Sequence, residues 1–317
     1  MVKVCVIGAG VIGLSSALRI IELHPDAEVI VIADKFSPVT TTDVSGGFWE
    51  PHLLGDTPEE KIRQWSGRTL EHMTLLANTD CAKYTGASVV SGYQMSADPN
   101  TKAPFWTDLV SNFRVLTQDE LKDYKDMKFG FFYTTVMLEP QMYLQWLMKR
   151  YSVKSLFIRI LLWLESYIRF ILFAQARAPW IKEFGIFVLQ DGLAYILPSS
   201  SYVVMGGVEY RGDWNTEVSS KDKKLIWENC TKYVPSLTEA VIDSDCVGLR
   251  PSRPSVRLEL ETVNLKGKIM PIIHNYGHGG AGVTLHWGCA EEVAHLVTGI
   301  IKMDSSTLKG KTILSKM

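Results

Sequence analysis

Near the start of the chain, Gly8-Ala9-Gly10-Val11-Ile12-Gly13 has G-x-G-x-x-G spacing. The chemistry of such a run is phosphate binding. The first glycine permits a tight turn, the second admits a pyrophosphate against the backbone, and the third lets a helix lie close on a strand. Amides at the helix start then face the phosphates. Asp34, with Lys35 beside it, stands roughly 20 residues further on, where a dinucleotide site places the carboxylate that accepts from a ribose hydroxyl. A carboxylate there repels a 2′-phosphate and favours FAD or NAD over NADP; its plainer reading is a turn residue. Arg250, Arg253 and Arg257 alternate through GLRPSRPSVRLE. A guanidinium fork there suits a carboxylate, and the run reads equally as a solvated strand face. His274, His278 and His286 share no helical face, so no metal is expected and the three are read as packing or bonding locally.

The elements that must hold these residues follow from periodicity. An apolar run from Val2 to Ile7 stops at Gly8, helical spacing follows from Leu14 to Leu23, and a second β-rich run from Val29 to Ala33 ends at Asp34: a βαβ start. TPEEKIRQWSGRTLEHMTLLA then reads as a charged amphipathic helix, SGYQMS and KFGFFYTTVML as strands, and Pro140–Tyr151 as a helix. Short β runs between Gly185 and Gly207, broken at Asp191-Gly192 and Pro198, suit antiparallel strands. HNYGHGGAGVTLHWGCAEEVAHLVTGII reads as a glycine-rich loop leading into a long helix that starts near Thr284.

The 317 residues, 46% hydrophobic and 21% charged, suit about two globular domains. A net charge of −1 provides no field to steer nucleic acid. Five widely spaced cysteines without a CxxC signal neither a disulfide framework nor zinc, and point to a reducing, intracellular setting.

GAGVIGLSSAL, TTTDVSGGFWEPHL, YLQWL, GLRPSRPSVRLE and HNYGHGGAGVTLHWGCA together resemble the D-amino-acid oxidase and D-aspartate oxidase family. The resemblance implies an α/β fold: a Rossmann-like FAD-binding domain (residues 1–55, 130–178 and 264–317) and a second α+β substrate domain on an antiparallel sheet (56–129 and 179–263). It implies an FAD enzyme that oxidises D-amino acids to imino acids, which hydrolyse to 2-oxo acids and ammonia while oxygen becomes hydrogen peroxide. Gly8, Ala9, Gly10, Val11, Ile12, Gly13, Asp34 and Lys35 would hold the cofactor with Thr40, Thr41, Thr42, Gly46 and Gly47 along the flavin. Gly279, Gly280, Gly282 and Thr284 would join them, the helix near Thr284 directing its positive end at the flavin. Arg250 matches the carboxylate-binding arginine, Tyr195 the tyrosine that assists it, and Gly280 a position at the reacting edge. Catalysis is then mostly orientation, with no protein base required.

The chain departs from the family over residues 152–177, where SVKSLFIRILLWLESYIRFILFAQAR lacks the expected glycines. At helical period it reads as an amphipathic helix, and its charges disfavour a membrane span. An altered exon replacing a strand of the cofactor sheet would remove one wall of the FAD site. On the substrate side, D-aspartate oxidases tend to carry a basic residue after the Gly-Gly pair that here precedes Val208-Glu209. Glu209 and Glu50 would repel an acidic substrate, so neutral or basic D-amino acids are expected, although GDWN and GLRPSRP lie closer to the D-aspartate branch. Ser315-Lys316-Met317 resembles an S-K-L address read by the peroxisomal import receptor, placing the protein in the peroxisome matrix. A homodimer is the remaining partner expectation. The alternatives are a D-aspartate oxidase, an inactive relative or splice product with a damaged FAD site, and an NAD-dependent dehydrogenase.

Overall fold

The computed structural model describes residues 2–151, 157–159 and 167–314. In chain order its elements are β1 (Lys3–Ile7), α1 (Val11–Leu23), β2 (Glu28–Ala33), α2 (Glu59–Ala77), α3 (Ala82–Thr85), β3 (Ser88–Ser96), β4 (Ser111–Val115), α4 (Gln118–Leu121), β5 (Phe129–Met137), α5 (Pro140–Tyr151), β6 (Phe157–Arg159), β7 (Tyr167–Arg177), β8 (Phe184–Leu189), β9 (Gly192–Pro198), β10 (Val203–Arg211), α6 (Ser220–Tyr233), β11 (Val241–Leu265), β12 (Lys268–His278) and α7 (Gly282–Leu314).

A parallel sheet of order β1-β2-β6 forms the first layer, with register Lys3↔Glu28 through Ile7↔Ile32 and Val31↔Phe157 through Ala33↔Arg159. Val29, Val31 and Ala33 alternate inward on β2, as a strand with one buried face requires. On α1, Val11, Leu14, Ala17 and Leu18 recur at helical spacing and are all buried. The strand-to-helix turn is fastened by the Gly8 N–H donating to the Ile32 carbonyl at 2.7 Å. α7 lies over α1, and His24 at the end of α1 bonds Thr298 at 2.9 Å.

The second layer is a nine-stranded sheet of order β12-β11-β7-β10-β9-β8-β3-β5-β4, antiparallel throughout except where β3 runs parallel to β8. The main core cluster includes Trp49, Trp106, Tyr133 and Phe184, with Trp49 and Trp106 meeting edge to face at 5.8 Å. The α/β class and the antiparallel β8-β9-β10 run agree with the periodicity of the sequence.

Three sequence expectations change. Residues 152–177 do not form a helix where they are described: Phe157–Arg159 extends the parallel sheet beside β2, and Tyr167–Arg177 is a central strand between β10 and β11. Backbone pairing with a neighbour along each edge of β7 outweighs the helical spacing of its polar residues. The HNYGH portion of the expected loop is the end of β12, and α7 starts at Gly282 rather than near Thr284. Segments 130–178 and 264–317, grouped above with the cofactor layer, contribute β5, β7 and β12 to the larger sheet.

Candidate active site

The G-x-G-x-x-G run occupies the turn between β1 and α1. Gly8 has φ +111, which only glycine adopts readily, and open space lies where a side chain would stand. A Cβ at Gly13 would strike the Gly8 carbonyl, so the third glycine serves the strand-helix approach. Ala9 and Val11 are buried, and Ile12 packs partly against the core. Asp34 is half-buried at the end of β2 and Lys35 is exposed.

The loop after β2 closes on this turn. Thr42 Oγ1 accepts from the Val11 N–H at 3.1 Å, and a Cβ at Gly10 would lie 3.2 Å from the same oxygen. The hydroxyls of the two neighbouring threonines have partners within the protein. Thr40 Oγ1 donates to Asp43 Oδ2 at 2.6 Å, and Thr41 Oγ1 donates to the Leu249 carbonyl at 3.2 Å. The Thr40 bond is the local kind that short polar side chains make in a tight turn, whereas the Thr41 bond reaches β11. The Thr42 hydroxyl oxygen acts as an acceptor, for the first turn of α1. Gly47, at φ +67, is held against the Leu138 carbonyl, and a Cβ at Gly46 would meet Leu197 at 2.9 Å; both serve close packing.

The other end of the candidate site is assembled from five separate stretches: β9, β10, β11, the turn into α7 and the loop at Glu50. Arg250, on β11, has a side chain 15% exposed, and its Nη1 donates to Glu209 Oε2 at 3.0 Å. A Cβ at Gly280 would lie 3.2 Å from the Arg250 guanidinium carbon, so that glycine lets backbone and guanidinium meet. Tyr195 pairs with Gly206 across β9 and β10, and its ring lies on Gly206 and Gly207. Burial pushes its phenol up to about 12 against the pull of Arg250, so Tyr195 stays a donor at neutral pH. At the start of α7, Gly282 has open space around its Cβ position. Thr284 is turned instead to Glu50, accepting from its N–H at 3.1 Å and donating to its carbonyl at 2.9 Å. Burial pushes Glu50 up to about 7 against a hydrogen bond from Gln94, so it is a weaker source of negative charge than the sequence alone implies.

Of the histidines, His274 bonds Glu261 at 2.7 Å, and His286 bonds the Tyr143 hydroxyl at 2.8 Å and the Val283 carbonyl at 2.6 Å. His278 is packed, as expected of it, but its Nε2 is buried without a partner, as is Ser252 Oγ opposite it in the β11-β12 ladder. Burial pushes His278 down to about 3, so it is neutral. Sequence reasoning gave His278, Ser252 and Gln94 no part in the site. A polar residue within an apolar strand was the available signal for Gln94 on β3, whereas Ser252 and His278 matter only through their pairing.

The model of the FAD dependent oxidoreductase (DAO) family matches residues 3–154 and 166–296, and the chain belongs to that family. Human D-aspartate oxidase is 37% identical, with 93% of this chain and 94% of that protein covered. A D-amino acid oxidase of Dugesia ryukyuensis is 31% identical over 94% of this chain and 98% of its own length. Among solved structures, glycine oxidase from Geobacillus kaustophilus superposes with TM-score 0.71 at 15% identity, over 94% of this chain and 95% of that one, a likeness of fold. The family match resumes at residue 166, which narrows the atypical stretch from 152–177 to 155–165.

The residues present fit FAD. Gly8 and Gly282 have open space where a side chain would stand, and His278 Nε2 and Ser252 Oγ are buried polar atoms without partners, the latter 3.5 Å from the Cβ position of Gly279.

Proposed function

We propose that this chain is an FAD-dependent oxidase that converts D-amino acids, neutral or basic ones preferred, to 2-oxo acids, ammonia and hydrogen peroxide. The observation that carries this reading is the Arg250 guanidinium lying against the backbone of Gly280, which joins a carboxylate-binding fork to the glycine turn before α7. Gly8 to Gly13, Asp34, Thr42, Gly279, Gly280 and Gly282 would hold the cofactor, which supplies a two-electron acceptor that oxygen restores.

The work of the protein is orientation. Arg250 fixes the substrate carboxylate through paired N–H groups, and the Tyr195 hydroxyl, kept protonated, donates to the same carboxylate. With that end held, the freedom of the Cα–H is reduced to rotation about the bond to the carboxylate. The positive end of α7, at Gly282, favours negative charge developing nearby. Water hydrolyses the released imino acid.

D-aspartate oxidation is the second reading, supported by the 37% identity to human D-aspartate oxidase. Ser315-Lys316-Met317 supports import into the peroxisome matrix, where peroxide is handled; the tripeptide lies outside the described residues. Deleting it and following the protein in cells tests that address, and light scattering tests the homodimer.

The deciding experiment is the visible spectrum of the purified protein before and after D-alanine, D-proline, D-arginine and D-aspartate without oxygen. Flavin bands near roughly 450 nm that bleach establish the oxidase. A colourless protein that takes up no added FAD defeats it and leaves the inactive relative. Faster bleaching by D-aspartate selects the second reading.

A further inference from the structure

The glycine turn into α7 has little of its own to hold it, since Gly279, Gly280 and Gly282 leave its backbone many conformations. Thr284 fixes one side through its two bonds to Glu50. The other side meets three side chains that the proposed reaction leaves unused: His286 of α7, Tyr143 of α5 and His72 of α2. His286 Nδ1 lies 2.6 Å from the Val283 carbonyl, His286 Nε2 lies 2.8 Å from the Tyr143 hydroxyl, and that hydroxyl lies 3.0 Å from His72 Nε2.

Each proton in this chain has one place. A carbonyl only accepts, so His286 Nδ1 carries the N–H. Burial pushes His286 down to about 4 and His72 to about 2, so near neutral pH each ring holds a single proton. His286 Nε2 is then an acceptor and takes the Tyr143 proton, which obliges the His72 Nε2–H to donate to the Tyr143 oxygen. His72 is fixed in turn, its ring stacked on Trp287 at 3.6 Å and 6°. Tyr143 is 1% exposed and His286 0%, so no water competes for either. All the donors point one way, from α2 through α5 to the first turn of α7, and hydrogen bonds in series strengthen one another. The N–H groups at the start of a helix have no partner within it, so the set of that turn decides what they bind. We infer that His286, oriented by Tyr143 and His72, is a positioning residue for the cofactor: it holds the Val283 carbonyl, and with it the amides at the start of α7, in the orientation that receives FAD.

The inference rests on the FAD part of the proposed function, and two substitutions divide the imidazole. His286→Asn keeps a donor at the Nδ1 position, and His286→Gln keeps an acceptor at the Nε2 position. FAD is titrated into the full-length, cofactor-free proteins and followed by flavin fluorescence. His286→Asn is expected to bind FAD within about 3-fold of the unmodified protein, and His286→Gln about 10-fold more weakly. Both variants lose a buried partner and should melt below the unmodified protein, so a purely structural role would weaken FAD binding in both alike. Nitrogen NMR of the unmodified protein labelled at histidine reads the proton positions without any substitution, with His286 expected as the Nδ1–H form and His72 as the Nε2–H form. Equal FAD affinity in His286→Asn and His286→Gln overturns the inference, as does an Nε2–H form of His286 in the unmodified protein. A protein that binds FAD with the stated pattern and oxidises no D-amino acid defeats the oxidase reading alone, whereas one that takes up no FAD in any form defeats both.

Discussion

Thr284 and Glu50 hold each other twice: the threonine hydroxyl accepts from the Glu50 N–H at 3.1 Å and donates to the Glu50 carbonyl at 2.9 Å. This reciprocal pair fastens the loop that carries Gly46 and Gly47 to the first turn of α7. Thr284 is 1% exposed, so no water replaces a lost partner. Thr284→Val is expected to destabilise the protein by about 1–3 kcal/mol. Thermal unfolding checks this, with Thr284→Ser, which retains the hydroxyl, recovering much of the loss.

Glu50 itself titrates where few carboxylates do. Its folded pKa is raised to about 7 from 4.5, so the folded state holds a proton that the unfolded state releases, and Glu50 makes stability fall as pH rises from about 4.5 to 7. Glu50→Gln keeps the neutral shape and its bond to Gln94. It is expected to stabilise the protein by on the order of 1–2 kcal/mol at pH 8 and by little at pH 4.5, as measured by urea unfolding at the two pH values. Equal effects at both would show that folding does not shift the Glu50 pKa.

Three buried histidines act in the opposite sense. Burial pushes His286 down to about 4, His278 to about 3 and His72 to about 2, all from 6.5. Each is neutral when folded and takes a proton on unfolding below its unfolded pKa, so its contribution is fully present above about 6.5 and falls with pH toward the folded values. Between pH 6.5 and 5 the three outweigh Glu50, and stability should fall with acidification at up to about 1.4 kcal/mol per pH unit for each net group. Unfolding free energy across that window reads the slope, and His286→Gln should reduce it.

Two glycines with similar sequence surroundings should respond differently to alanine. At Gly13 the new methyl meets the Gly8 carbonyl, which can yield only by separating strand from helix. Gly13→Ala should lose both cofactor retention and stability. At Gly282 nothing lies within 4 Å of the new methyl and the backbone is already helical. Gly282→Ala should match or exceed the cofactor-free stability of the parent by up to about 1 kcal/mol while weakening FAD binding. Melting curves with and without FAD distinguish the cases, and unchanged FAD affinity in Gly282→Ala would place the cofactor elsewhere.

Local chemistry made much of the molecule legible in its sequence. The glycine spacing after β1, the alternation along β2 and the amphipathic pattern of α2 are each written within a few neighbouring residues, and all correspond to observed elements. The family, and with it the fold, was carried by motifs of the same local kind. Residues 157–177 show where such reading fails: polar spacing suggested a helix, whereas β2, β10 and β11 supply neighbours that make strands of Phe157–Arg159 and Tyr167–Arg177.

What only the tertiary structure decided is which partner each polar group takes. The sequence nominated Arg250 and Glu209 separately, 41 positions apart, and no spacing rule joins them. Strand order brings them across β7 into one ion pair, and it likewise brings the Leu249 carbonyl to Thr41 and leaves His278 Nε2 without a partner. Periodicity is a property of consecutive residues, but pairing depends on which distant strands become neighbours, and burial then makes each pairing consequential by removing water as the alternative.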